Sequence, residues 1–317
     1  MEDDRATASS RARLDGPGVL DRVLPEIGGI ETVERLSALR GSDFASVMLE
    51  VARRRAARET PAGIMRRYAN DRFTAPGRTP WRAIRLAEDA LLRCLPGDVE
   101  VVTLAPVAPL GTHSVLATVS QDKVVTTGRA CEVAADPTNA LTLEAAVRRG
   151  RARGETVRLA AVQRVLRAQR FPPGFAAHFS LFGLVMAGRD QGSHRFERSA
   201  LAGHLRFAVA GLAAAGLPRV QVALTPLSEA GTRIGAAVRA ELAPVPVEIV
   251  ADHERQQGRG YYRDLCFKVN AYVDGVPEEI GDGGFTDWTR QLVASDKERL
   301  LISGMGLDRL ADFAGLA

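Results

Sequence analysis

The sequence predicts a mixed α/β fold, and three observations carry that expectation. The stretch from Val165 to Asp190 reads as two apolar strands joined by a loop at Pro172, Pro173 and Gly174; proline lacks the N–H a ladder needs and fixes φ. Its second strand, Phe179 to Ala187, is apolar almost throughout, the pattern of a strand covered on both faces. Trp81 to Leu95 places Ile84, Ala87, Leu91, Cys94 and Leu95 on one helical face and Arg82, Arg85, Asp89 and Arg93 on another. After Asp190 helix and strand patterns alternate: a helix over Glu197 to Ala215 with a Gly216-Leu217-Pro218 stop, a strand over Val220 to Leu224, a helix over Ser228 to Leu242 and a strand over Val245 to Val250.

Arg167 ends the first of the two paired strands, facing a loop able to close over something, which suggests an anion site. The same residues would equally make an ordinary hairpin with a surface arginine.

Composition narrows the classes. The chain has 317 residues, 46% hydrophobic and 25% charged, which fits a soluble globular protein of one large or two small domains. No run reaches the roughly 20 apolar residues of a membrane span, and the N-terminus lacks the apolar core of a signal peptide. Cys94, Cys131 and Cys266 are scattered and in no metal spacing, so no metal site is expected and a reducing cytoplasm is. The net charge of +4 raises nucleic acid as a partner. However, only Lys123, Lys268 and Lys297 are lysines, and an arginine, alanine and glycine bias is more simply a compositional habit.

Residues 1–17 are expected to be a disordered tail and 18–80 a helical N-terminal extension, interrupted at Gly28-Gly29. Ser42-Asp43 reads as a helix N-cap, and Arg53, Arg54, Arg55 and Arg58 as a solvated flank. Residues 81–317 form the core. Within it Pro96-Gly97-Asp98 stops the first helix, and a β-rich run follows from Val99 to Leu104. Val115 to Val125 and Ala130 to Ala135 read as strands. Asp136-Pro137-Thr138-Asn139 starts a helix whose end, Arg148 to Arg153, reads as solvated.

Several segments of the core resemble, in order, the motifs of class II aminoacyl-tRNA synthetases, and most closely those of the histidyl enzyme. Val165, Arg167, Arg170, Gly174, Phe179, Phe182, Gly183 and Gly188 match motif 2 without a gap, with the loop proline one residue late at Pro172. The helix from Trp81, the strand after it and Pro106 resemble motif 1. Pro137 is what remains of the L-R-P-E-G-T segment. Tyr261, Tyr262, Phe267 and Val269 align with the family's tyrosine-pair segment, and Gly283, Gly284 and Asp287 with its glycine-rich one. Gly304, Gly306 and Arg309 match motif 3, where glycines allow backbone close to adenine and an arginine at a helix N-terminus suits phosphates.

This resemblance implies an α+β architecture: a mostly antiparallel sheet flanked by helices, with Arg167 and Arg309 facing one cleft. It implies ATP contacts at Arg167 (the α-phosphate), Gln169, Gly304, Gly306 and Arg309, with Mg2+ if the chain is catalytic. It places a ligand pocket at Thr138, Leu181, Val185, Gln257, Arg259, Tyr261, Tyr262, Gly283 and Gly284. Motif 1 implies a homodimer. Departures from the pattern shift the functional expectation. Gln169 replaces a glutamate, Leu181 and Val185 replace the ammonium ligands, Thr138 and Ala140 replace further substrate contacts, and Gln257 or Arg259 stands where the catalytic arginine belongs. The long tRNA-contacting insertion and the anticodon-binding domain have no counterpart in the sequence. The expectation is therefore a paralogue that does not charge tRNA alone. It is a regulatory or ligand-binding subunit of the ATP phosphoribosyltransferase kind, working with a catalytic partner protein. The alternative is an adenylate-forming ligase for an acid other than histidine.

Overall fold

The computed structural model describes residues 18–152, 154–171 and 176–316. The expected tail, the loop at Pro172, Pro173 and Gly174, and Arg153 lie outside them.

The chain divides into two compact units. The first holds residues 18–59 together with Gly128–Ala130. It contains α1 (Val19–Val23), a 3₁₀ turn at Leu24–Ile27, α2 (Ile30–Ser37) and α3 (Gly41–Ala56). Gly28 and Gly29, at φ 89° and 83°, make the left-handed break that the glycine pair predicts. α3 starts ahead of the expected Ser42-Asp43 cap. The N–H groups of Asp43 and Phe44 both donate to Arg40 O, so Arg40 is the cap residue and Ser42 lies inside the first turn.

The second unit holds Thr60–Thr127 and residues 131–316. It opens with α4 (Pro61–Asn70), capped by Thr60 Oγ1 accepting from Gly63 N at 3.1 Å. α5 (Trp81–Arg93) and β1 (Glu100–Val101) follow. β2 (Val107–Pro109) later pairs with β3 (Cys131–Val133) as a separate ribbon.

Between those two strands the expectation of a strand over Val115 to Val125 fails. The chain forms α6 (Thr112–Leu116) and a 3₁₀ turn at Gln121–Lys123. The cause lies outside the segment. The buried Glu132 carboxylate accepts the N–H groups of Gly111 and His113, at 3.0 and 2.9 Å, and the Gln121 amide at 2.9 Å. A carboxylate at a helix start satisfies otherwise orphaned donors and outweighs the β preference of the valines.

The remaining elements are α7 (Pro137–Arg151), β4 (Val157–Leu166), β5 (His178–Arg189), α8 (Arg195–Ala214), β6 (Val220–Pro226), α9 (Glu229–Glu241), β7 (Val247–Ala251), β8 (Arg263–Val273), β9 (Val276–Thr286), α10 (Trp288–Val293), β10 (Glu298–Gly306) and α11 (Leu307–Phe313). The main sheet runs β1-β4-β5-β10-β9-β8-β6-β7. Its six central strands pair antiparallel, and only the edge strands β1 and β7 join parallel. This is the mostly antiparallel sheet that the resemblance implies.

Helices cover both faces. On one, Leu91, Leu205, Leu212, Ile234 and Leu310 from α5, α8, α9 and α11 pack on Phe182, Phe267 and Leu301. The Phe182 and Phe207 rings lie 5.2 Å apart in that layer. On the other, Leu141 and Ala145 of α7 and Trp288 of α10 pack on Leu159, Val185 and Ile302. Gly183 sets how closely α7 approaches, because a Cβ there would meet Pro137 at 3.0 Å.

The solvated helix end expected at Arg148 to Arg153 is corrected at Arg149. That side chain is buried, and it forms two 2.8 Å hydrogen bonds to the buried Glu298 carboxylate at the start of β10. Arg149 falls four residues after Ala145 and eight after Leu141, on the buried face of α7. The adjacent Arg148 does face solvent, pairing with Glu100 and Glu144.

Candidate functional site

The start of α7, the C-terminal half of β10, the middle of β9 and the segment before β8 enclose a cavity of about 170 Å3. Six of the residues singled out from sequence line it together: Thr138, Arg167, Gln169, Tyr261, Tyr262 and Gly304.

The α7 side is built first. Asp136 caps the helix, its Oδ1 accepting from Thr138 N at 2.9 Å and from the Thr138 hydroxyl at 2.7 Å. Its Oδ2 accepts from Arg167 Nη2 at 3.2 Å, and Arg167 Nε donates to Ala135 O at 2.9 Å. The same guanidinium lies 5.2 Å from the Phe179 ring centroid. His113 Nε2 accepts from Ala135 N at 3.1 Å, which places the ring proton on Nδ1, donated to Asn139 Oδ1 at 3.0 Å. Asn139 Nδ2 is buried and has no partner among the described residues.

The opposite wall is aromatic. Tyr261 lies between Tyr262 and Trp288, with centroids 4.4 and 5.7 Å away, and Trp288 Nε1 is buried with no partner among the described residues. Asp282 of β9 joins this wall. Its Oδ2 accepts from Arg255 Nη2 at 2.6 Å and from the Tyr262 hydroxyl at 3.3 Å. Burial raises the Asp282 pKa, with Arg255 pulling the other way. Burial and then the Asp282 charge push the Tyr261 hydroxyl up to about 12.

The other sequence-derived positions lie elsewhere. Leu181, opposite Gly306 in the β5–β10 register, and Gly306 itself are outside the lining. Arg309 donates to Glu279 O at 2.5 Å and is also outside it. Val185 sits in the apolar layer against Ile302. Gly284 gives the Tyr262 ring its place, since a Cβ there would come within 2.6 Å of it; Gly283 faces Phe267. Gln257 contributes a carbonyl to Arg255 Nε at 2.9 Å, and Arg259 packs its guanidinium on Arg255 O at 2.6 Å.

The buried arginine that supports the aromatic wall is Arg255, which sequence reasoning missed, along with Asp282, His113, Asn139, Lys123 and Trp288. Asp282 carried a faint signal. A charged residue within Gly281-Asp282-Gly283-Gly284 is the one side chain that stretch can present. Among the described residues no group of three or more His, Cys, Asp or Glu could hold a metal, and no helix is long and apolar enough to cross a membrane.

This antiparallel sheet, with helices on both faces and the cavity on the α7 side, is the fold of the class II aminoacyl-tRNA synthetase catalytic core. Among solved structures, an ATP phosphoribosyltransferase regulatory subunit/histidyl-tRNA synthetase from Bacillus halodurans C is similar at TM-score 0.61 and 15% identity, over 76% of this chain and 82% of that one. Apo histidyl-tRNA synthetase from S. aureus gives 0.57 and 13%, over 74% and 70%. A histidine–tRNA ligase subunit from Alicyclobacillus acidocaldarius gives 0.53 and 16%, over 81% and 95%. No family model and no curated protein matches the chain.

Proposed function

We propose that the chain is a regulatory or ligand-binding subunit built on a histidyl-synthetase-like core, of the ATP phosphoribosyltransferase regulatory-subunit kind, which does not charge tRNA alone. The observation that carries this reading is the state of Arg167. The resemblance gives that residue to an ATP α-phosphate, yet its guanidinium is held by Asp136 and Ala135 O. A polyphosphate in the cavity would have to compete with Asp136 and lie beside Asp282. Like charges about 4 Å apart repel by about 4 kcal/mol at the effective dielectric of a protein surface. Arg309 makes its own bond to Glu279 O, away from the lining. A volume of about 170 Å3 suits a compact ligand better than a nucleotide.

The second reading, an adenylate-forming ligase for an acid other than histidine, is favoured by one arrangement: Arg167, Gln169, Gly304 and the exposed Lys123 share the cavity. ATP–pyrophosphate exchange separates the two. The expected result is no exchange with histidine or with any acid in a broad carboxylic-acid panel, and no charging of tRNA. Exchange with one of those acids would make the chain a ligase.

A homodimer belongs to the same reading. Trp81, Leu86, Val101, Leu110 and Val115 are exposed in or near the segment that resembles the dimer-forming motif, an apolar surface that a two-fold contact would cover. Light scattering at micromolar concentration is expected to give the mass of two chains; a monomer alone would remove the dimer from the proposal. A catalytic partner protein and a cytoplasmic setting are the further components of this proposal.

A further inference from the structure

We propose that the cavity binds a small organic cation that also carries a hydrogen-bond acceptor, and that Asp282 is the residue that holds its positive charge. The inference rests on the ligand-binding reading above and narrows it to a ligand class.

The cation side follows from how Asp282 is held. Arg255 and Tyr262 both engage Oδ2, and among the described residues Oδ1 has no partner. The Asp282 side chain keeps 40% of its accessible surface while Arg255 keeps 1%, and Asp282 lines the cavity whereas Arg255 does not. Asp136, Tyr261 and Trp288 line the same cavity, which gives it a second carboxylate and an aromatic wall. Among the charges acting on the Tyr261 hydroxyl, Asp282 raises its pKa most, Asp136 next, and Arg255 lowers it less; the cations Arg167 and Lys123 also line the cavity, Arg167 being held by Asp136.

The acceptor side follows from two orphaned donors. Asn139 and Trp288 are each 2% exposed, both line the cavity, and among the described residues Asn139 Nδ2 and Trp288 Nε1 have no acceptor. The amide cannot be turned round to cure this. His113 Nε2 already accepts from Ala135 N, so Nδ1 carries the proton and needs the Asn139 oxygen. A buried donor without a partner is costly, and native structures seldom keep two in one place without a group to receive them. A ligand with a cationic head and a hydroxyl, carbonyl or carboxylate fills both requirements.

Calorimetry on the full chain tests this with four compounds. Tetramethylammonium is a cation without an acceptor, choline adds a hydroxyl, glycine betaine adds a carboxylate, and acetate has no cation. Choline or glycine betaine is expected to bind at millimolar concentration or better, which of the two distinguishing a neutral from an anionic acceptor. Tetramethylammonium should bind about tenfold more weakly, and acetate not at all. Asp282→Asn should abolish binding of all the cations. Trp288→Phe keeps an aromatic ring and removes the indole N–H; it should weaken the better ligand several-fold and tetramethylammonium by clearly less, and it decides the matter if Asp282→Asn does not fold. No heat from any cation, or binding unaltered in folded Asp282→Asn, would overturn the proposal while leaving the regulatory reading in place. Pyrophosphate exchange would overturn that reading instead.

Discussion

Arg149→Met is expected to destabilise the chain by about 3–5 kcal/mol, the cost of leaving one member of a buried ion pair without the other. Arg149 is 0% and Glu298 4% exposed, and the two make parallel hydrogen bonds of 2.8 Å each. The guanidinium also donates to Glu155 O and, at 3.4 Å, to Ala152 O, so it closes the turn after α7 as well. Removing it leaves the buried Glu298 carboxyl without its partner. Urea denaturation measures the loss as a shift in midpoint at constant slope. Replacing both residues, as Arg149→Met with Glu298→Leu, should recover most of it, because two apolar groups of similar volume do not carry the desolvation cost of a lone carboxylate. Arg149→Lys should fall between, since an ammonium cannot reproduce the two parallel bonds. A single-variant loss below about 1 kcal/mol would mean that the pair is not what fastens α7 to β10. That fastening matters to the cavity, because the other end of α7 supplies Asp136, Thr138 and Asn139.

The same residue shows what the sequence could and could not reveal. The apolar run Phe179 to Ala187 is a strand because nothing else buries so many consecutive side chains, and β5 forms as expected. Asp136-Pro137 marks a helix start through chemistry local to four residues, and α7 begins there. Arg149 looked solvated because it stands in a run of charges, although its spacing from Leu141 and Ala145 already put it on the buried face. The Val115 to Val125 segment was misread for a different reason: its conformation is decided by Glu132, on a strand that local preference does not consult. The order of motifs made the fold legible even at the 13–16% identity of the structural matches. The cavity was only half legible. Arg167, Thr138 and the tyrosine pair could be placed by resemblance. Arg255 and Asp282 are 27 residues apart: Arg255 lies before β8 and reaches Asp282 across that strand, donating to Phe267 O, and the β8–β9 pairing that places Asp282 contains two register shifts.

Arg255→Met is expected to cost about 3 kcal/mol, the lower end of the range for a broken buried pair because Asp282 keeps solvent contact on its cavity side. The guanidinium donates to Phe267 O and to Gln257 O at 2.9 Å each and to Asp282 at 2.6 Å, and it lies 5.4 Å from the Tyr262 ring centroid. One substitution therefore strands two carbonyls and a carboxylate and removes the support of the aromatic wall. The loss should depend on pH in a way that distinguishes it from a packing defect. Burial already raises the Asp282 pKa above its ordinary 3.8, Arg255 is the chief opposing influence, and Glu279 and Asp136 push in the same direction as burial. Without Arg255 the carboxyl rises further. A carboxyl raised in the folded state binds more protons there than when unfolded, so its contribution favours folding at low pH and is lost as pH climbs through the folded value. The difference in stability between Arg255→Met and the parent chain should accordingly be smallest near pH 4 and widen toward neutrality. Denaturation curves across that interval measure it. A difference that stays constant with pH would assign the loss to packing and to the two carbonyls, and would detach Asp282 from Arg255.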